Sequence, residues 1–195
     1  FACQVPHDVV RVFVMGERAL AEEASTEDDM IAMRQVVREA LEAGAVGFST
    51  GRSDNHRTAD GKPTPASEAT PRELVELARA FVGLDHGVLQ AVSDFNVLQG
   101  DESFQSEFDM LEAKLAAAGG RPMSMSTMQR DHSPRQWKWI FDRAEAAAKK
   151  GLTIRCQVAA RAIGVMLGLE ATFHPFMGFP SYKRIHDLPL AERVK

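Results

Sequence analysis

Apolar positions along this chain recur at two spacings. Met30, Met33, Val37 and Leu41 lie three or four residues apart, the period of one buried helix face, and Gly44 follows as a stop. That helix is predicted to start at Ser25 or Thr26, with Glu27, Asp28 and Asp29 suited to the positive end of its dipole. The same period returns in Leu74, Leu77, Ala78 and Phe81. Here Thr70 reads as the N-cap, Pro71 as the first helical residue and Glu73 as the closing member of a capping box. A third helix opens at Asp101, is lined by Phe104, Phe108, Leu111 and Leu115, and ends at Gly119 and Gly120. A fourth follows Ser133, Pro134 and Gln136, with Trp137, Ile140, Phe141 and Ala144 on its buried face. Between these helices lie short apolar runs of strand length, at 46–50, 88–94, 123–128 and 153–160. Residues 9–16 are β-branched and apolar, which predicts a first strand, with 17–24 as a connecting loop. Beyond Arg161 the pattern loosens into Gly, Pro and aromatic residues, with one short helix near 163–168.

Strands alternating with amphipathic helices imply an α/β protein with a parallel sheet and right-handed crossovers. Two architectures satisfy that order, an open doubly wound sheet or part of a (β/α)8 barrel. The strand spacing suits a barrel of about 250 residues or more, so 1–195 reads as one incomplete TIM-type barrel segment of about five parallel βα units. The long loop 51–69 and the irregular segment 161–195 lie within it. The chain begins at Phe1 rather than Met and stops in a charged segment, which is expected of an internal piece of a longer protein. Open sheet edges would then let the piece pair with a second copy of itself.

Composition narrows the function classes. A hydrophobic content of 45% with 26% charged residues is that of a folded globular chain, and a net charge of −4 opposes a nucleic-acid surface. No apolar run approaches the length of a membrane helix. Two cysteines, Cys3 and Cys156, make no disulfide framework, so a reducing, cytoplasmic setting is expected. No strand leads into a glycine-rich phosphate loop.

The chemistry gathers at the predicted strand exits, where α/β proteins place functional side chains. Ser49, Arg52, His56, Arg57, Asp94, Gln129, Arg130, Asp131 and Arg161 stand there, and the arginines could clamp a substrate carboxylate. On the last strand Ile154, Cys156 and Val158 should face helices, leaving Arg155 and Gln157 to point inward. A buried arginine needs a partner, and Asp94, which shares a strand face with Gln90, is the expected one. Arg11 on the predicted first strand poses the same requirement. A polar network inside the sheet is therefore expected, of a kind that sets register more often than it catalyses. None of the six histidines has a metal-ligand spacing. His7, His132 and His186 flank turns and read as surface residues, while His174, in FHPF, reads as packed among aromatics although it too is a candidate site residue.

The stretch GAVGFSTGRSDNHR at 44–57, preceded by VFVMGERA at 12–19 and followed by PTPASEATPRELVELARAF at 63–81, resembles the N-acyl-D-amino-acid deacylases (D-aminoacylases) of the amidohydrolase superfamily. RCQVAARAIGVMLGLEATFHPF at 155–176 looks like a branch of the same family. The resemblance implies a metal-dependent barrel that hydrolyses the amide bond of N-acyl-D-amino acids, with zinc or another divalent metal activating water. It implies that this chain holds barrel strands three to seven, with the family's H-x-H and aspartate ligands outside it. Where the family's other two histidine ligands would fall, the chain reads QAVSD, with Val92 or Ser93, and SMSTMQ, with Thr127. No metal and no hydrolysis are therefore expected of the piece alone. The resemblance offers an acylated amino acid or similar amide as substrate. The alternative is a barrel relative that binds a ligand or partner without hydrolysis.

Overall fold

Parallel strands can be neighbours only if the chain returns between them, and the amphipathic segments supply those returns. The computed structural model describes residues 2–53, 55–58, 61–67, 69–95, 101–131, 133–162, 164, 166–169, 171 and 174–194. Among them β1 (Gln4–Pro6), β2 (Gly47–Arg52), β3 (Val88–Ser93), β4 (Met123–Ser126) and β5 (Ile154–Gln157) form one all-parallel sheet in strict chain order. The connections carry α1 (His7–Met15), α2 (Glu17–Leu20) and α3 (Glu27–Glu42), then α4 (Pro71–Ala78), α5 (Asp101–Ala117) and α6 (Gln136–Lys149). Two single turns, α7 (Pro180–Lys183) and α8 (Leu190–Arg193), follow. A doubly wound sheet reverses its strand order partway across. This sheet does not, and right-handed crossovers in unbroken order put every connecting helix on the same face. The sheet is open, with β1 and β5 at its edges.

Alternation along the strands separates the two faces. Phe48, Leu89, Ala91, Met123, Met125 and Ile154 are buried against the helices, joined by Met33, Val37, Leu41, Leu74, Phe108, Leu115 and Ile140. The other face carries Ser49, Gln90, Ser124 and Arg155, which stand opposite one another in successive strand pairs. A polar row thus crosses four strands. Gly47 lets β2 and β3 meet, since a Cβ there would stand 2.0 Å from the Val88 carbonyl oxygen.

Helix starts follow the local chemistry closely. Thr26 caps α3 and accepts from the Asp29 amide at 3.2 Å, while the Asp29 carboxylate accepts from the Thr26 amide at 2.8 Å. Thr70 caps α4 with Pro71 in its first turn. The predicted buried stripes of α3, α4 and α5 are all in the core, with Phe81 in the single 3-10 turn that extends α4.

Several expectations are corrected. Of residues 9–16, expected as a strand, 9–15 are helical and Gly16 is the cap that ends the helix. His7, Val10, Arg11 and Met15 are buried at helical spacing, while Val9, Val12 and Phe13 are exposed. β-branched residues had suggested a strand, but the packing of a helical face overrides so weak a preference. The first strand lies just before, at Gln4–Pro6, and part of the expected loop 17–24 is helical. Arg11 therefore belongs to a helix. The α6 start has no side-chain cap, and Trp137 and Phe141 are exposed, because Gln136, Ile140, Ala144 and Ala147 form the inward face. Arg155 is solvent-exposed and Val158 is 65% exposed, since nothing covers the β5 edge among the described residues. Of the short helix expected near 163–168, the described residues Gly164, Met166, Leu167 and Gly168 are not helical. Asp54 and His132 lie outside the described residues.

Candidate functional site

The carboxyl ends of four consecutive strands open onto one cleft of about 680 Å³. Ser53, Asn55 and His56 reach it from the loop after β2, and Val92 and Asp94 from the end of β3. Ser126, Thr127 and Met128 leave β4 into it, and Gln157, Val158 and Ala159 do so from β5. Its volume is that of a small-molecule site. Gly51 admits His56 over the strand end, because a Cβ there would come within 3.0 Å of the His56 Nδ1. The loop behind His56 folds back on itself through an antiparallel bridge between Arg57 and Pro63.

Asp94 is held from behind. Arg130 donates to its Oδ1 at 3.4 Å and to the Ser93 carbonyl at 3.3 Å, and its other amine donates to the Gln136 Oε1 at 2.5 Å. Gln136 opens α6, so the start of that helix steers the Asp94 partner. The polar network expected among inward strand residues lies instead between the sheet and its helices. Arg52 turns to that side, donating to Glu107 at 3.0 Å and to the Ala69 carbonyl, and Ser93 donates to the same Glu107 oxygen at 2.8 Å. Lys114, wholly buried, donates to the Thr50 hydroxyl at 3.0 Å and stands 5.5 Å above the Phe48 ring. Burial, with the nearby Arg52 charge, pushes its amine down to about 7, against a smaller opposing pull from Glu107.

A second buried cluster joins the start of α1 to the start of α4. His7 donates from Nε2 to Glu73 at 2.7 Å, Ser25 donates to the other carboxylate oxygen at 2.5 Å, and Arg11 donates to that same oxygen. Burial would raise the Glu73 carboxyl, but the hydrogen bond and charge of His7 and the hydrogen bonds from Arg11 and Ser25 outweigh it and hold it at about 2. Burial pushes the His7 imidazole below its ordinary value. His7, expected at the surface, is thus an interior donor. Glu73, expected to close a capping box, instead supplies its carboxylate to this cluster while its amide donates to Thr70. Both serine and histidine donate to the glutamate rather than to each other, so the trio is not a nucleophile–base pair.

The predicted site residues therefore divide. His56, Asp94 and Gln157 line the cleft, and Arg130 stands behind Asp94. Ser49 lies deeper on the same face, in register with Gln90. Arg52 belongs to the helix side. Arg57, Gln129, Asp131 and Arg161 are exposed and outside the cleft wall. His174 packs 4.5 Å from the Tyr182 ring and accepts from the Phe176 amide, in an aromatic group of its own. Sequence reading missed Ser53, Asn55, Ser126, Met128, Glu107 and Lys114 as participants. Glu107 and Lys114 carried a signal, since both fall one residue inside the stripe of Phe104, Phe108, Leu111 and Leu115 and are seven apart.

A catalytic divalent metal needs several His, Cys, Asp or Glu side chains in one place. Among the described residues no three such groups come together. Val92 and Thr127 line the cleft at the places where the resemblance puts histidine ligands, and neither offers an imidazole. The described residues do not fit the metal. No described helix is long and apolar enough to cross a membrane.

Compared with known proteins, 90 residues of the chain, 46% of its length, are 35% identical to the D-aminoacylase of Alcaligenes xylosoxydans xylosoxydans. The match covers 16% of that protein, so the chain spans a minor part of the relative it matches. This supports a link to an amidohydrolase-like protein. No family model matches the chain. No solved structure matches it either.

Proposed function

We propose that the chain is part of a (β/α)8 barrel whose full-length protein hydrolyses an amide bond of the N-acyl-D-amino-acid type. The observation that carries this reading is the cleft at the carboxyl ends of consecutive parallel strands, where barrel enzymes place their chemistry. The likeness to a D-aminoacylase supplies the reaction class. Support for further βα units comes from the two flanks. Val9, Val12 and Phe13 are exposed beside the β1 edge, and Trp137 and Phe141 beside the β5 edge, as they would be where neighbouring helices pack. In this reading Asp94, positioned by Arg130, accepts a hydrogen bond from the substrate amide N–H. In the same reading Ser53, Asn55 and Gln157 bond its carbonyl, and His56 stands at the mouth.

A second reading is favoured by Val92 and Thr127, which leave the cleft without the imidazoles the resemblance expects. Here the barrel binds a small amide without hydrolysing it. Metal analysis of the full-length protein, paired with hydrolysis of N-acyl-D-amino acids, separates the two. Near-stoichiometric metal with turnover supports the enzyme; neither metal nor turnover supports the binder.

A further inference from the structure

The cleft's charge pattern says which part of an amide substrate it accepts, an inference that rests on the amide-hydrolase reading above. Arginines at the strand exits were expected to clamp a carboxylate. Arg52 is committed to Glu107 and the Ala69 carbonyl on the far side of the sheet, and Arg130 to Asp94, Gln136 and the Ser93 carbonyl. No lysine or arginine is among the described residues of the cleft wall, and its one Asp or Glu is Asp94. A substrate carboxylate here would shed water beside the Asp94–Arg130 pair with no lysine or arginine of the described wall to receive it, an arrangement that opposes binding. Val92, Met128, Val158 and Ala159 meanwhile supply hydrocarbon to the wall at the ends of β3, β4 and β5.

We infer that this end of the cleft seats the uncharged hydrocarbon part of the amide, an acyl chain or an apolar side chain, and that the substrate carboxylate lies away from β3, β4 and β5. Val92 and Met128 form the deeper part of that seat and Val158 its open lip, where it is 65% exposed. Burying one methylene there is expected to strengthen binding by up to about four-fold.

The test uses the full-length protein and two substrate series, one lengthening the acyl group on N-acyl-D-alanine from acetyl to hexanoyl, the other enlarging the side chain on N-acetyl-D-amino acids. Calorimetric binding of hexanamide and acetamide, both uncharged, reads the seat without turnover. Specificity, as kcat/KM, should climb along one series, which identifies the part seated, and hexanamide should bind more tightly than acetamide. Val158→Asp should lower the ratio of longest to shortest member by about ten-fold, and Met128→Ala should lower it less, guarding against a variant that fails to fold. Flat series, or slopes that neither variant changes while hydrolysis persists, would overturn the inference and leave the hydrolase reading standing. Chain-length-dependent amide binding that Val158→Asp removes, with no hydrolysis, would do the reverse.

Discussion

The two faces of the sheet are built from alternate residues of the same strands, yet they treat charge in opposite ways. On the helix side Lys114, Arg52 with Glu107, and Glu73 with His7 and Arg11 are held in or beside the core, each bonded to a partner on another element. On the open side Ser49, Gln90, Ser124 and Arg155 form a polar row that water can reach, and Arg155 needs no protein partner. Burial thus demands compensation only where the helices close over the strands. The network expected of Arg155, Gln157, Gln90 and Asp94 is therefore not the one that formed: the buried bonds lie where side chains from α1, α4 and α5 meet one another and the strands.

That contrast can be broken most sharply at neighbouring positions of β2. Phe48→Ala, at 0% exposure on the covered face, is expected to cost about 3–5 kcal/mol, whereas Ser49→Ala beside it should change stability by less than about 0.5 kcal/mol. Urea denaturation of both variants measures the difference, and similar costs would refute the assignment of faces.

Glu73→Gln should be of comparable size, about 3–5 kcal/mol, because it leaves Arg11 buried beside a neutral amide. Its pH dependence has a definite sign. The carboxyl sits at about 2 when folded against an ordinary 4.5, so the unfolded chain binds more protons between those values. The stabilisation is present above pH 4.5 and is lost as the pH falls toward about 2. Acid titration of denaturation midpoints should show a shallower decline in the variant.

Lys114 acts in the same direction at higher pH, as a burial penalty relieved rather than a stabilisation gained. Its amine is at about 7 when folded against an ordinary 10.5, so stability should rise between about pH 7 and pH 10.5 as the unfolded chain alone keeps the proton. Lys114→Met should remove that rise. A wild-type slope matched by the variant would show that another group titrates there. The smallest effect is expected on the open face, where Arg155→Ala should stay within about 0.5 kcal/mol in the same denaturation assay.

Much of this arrangement was legible because it is local. The buried stripes of α3, α4 and α5, the caps at Thr26 and Thr70, and the grouping of Ile154 and Cys156 against Arg155 and Gln157 depend on residues a few positions apart. The α1 segment misled because Val9, Val10, Val12 and Val14 satisfy strand preference as well as helix spacing. Only the burial of His7, Val10, Arg11 and Met15 decides between them. The cleft was half legible. His56, Asp94 and Gln157 were named, but which strand exits converge depends on strand order, and periodicity does not reveal strand order.

The sequence by itself determined most of the alternation of helix and strand, the starts of α3, α4 and α5, and the division of β5 into an apolar and a polar set, because hydrogen bonding and side-chain spacing act within one or two turns. Only the tertiary structure decided that the polar set would be left open, that Arg52 would turn away from the cleft, and that Glu73 would serve His7 rather than its own helix. The last pairing joins residues 66 positions apart. Such a contact is set by which elements pack together, and its energy comes from burial that neither segment has alone.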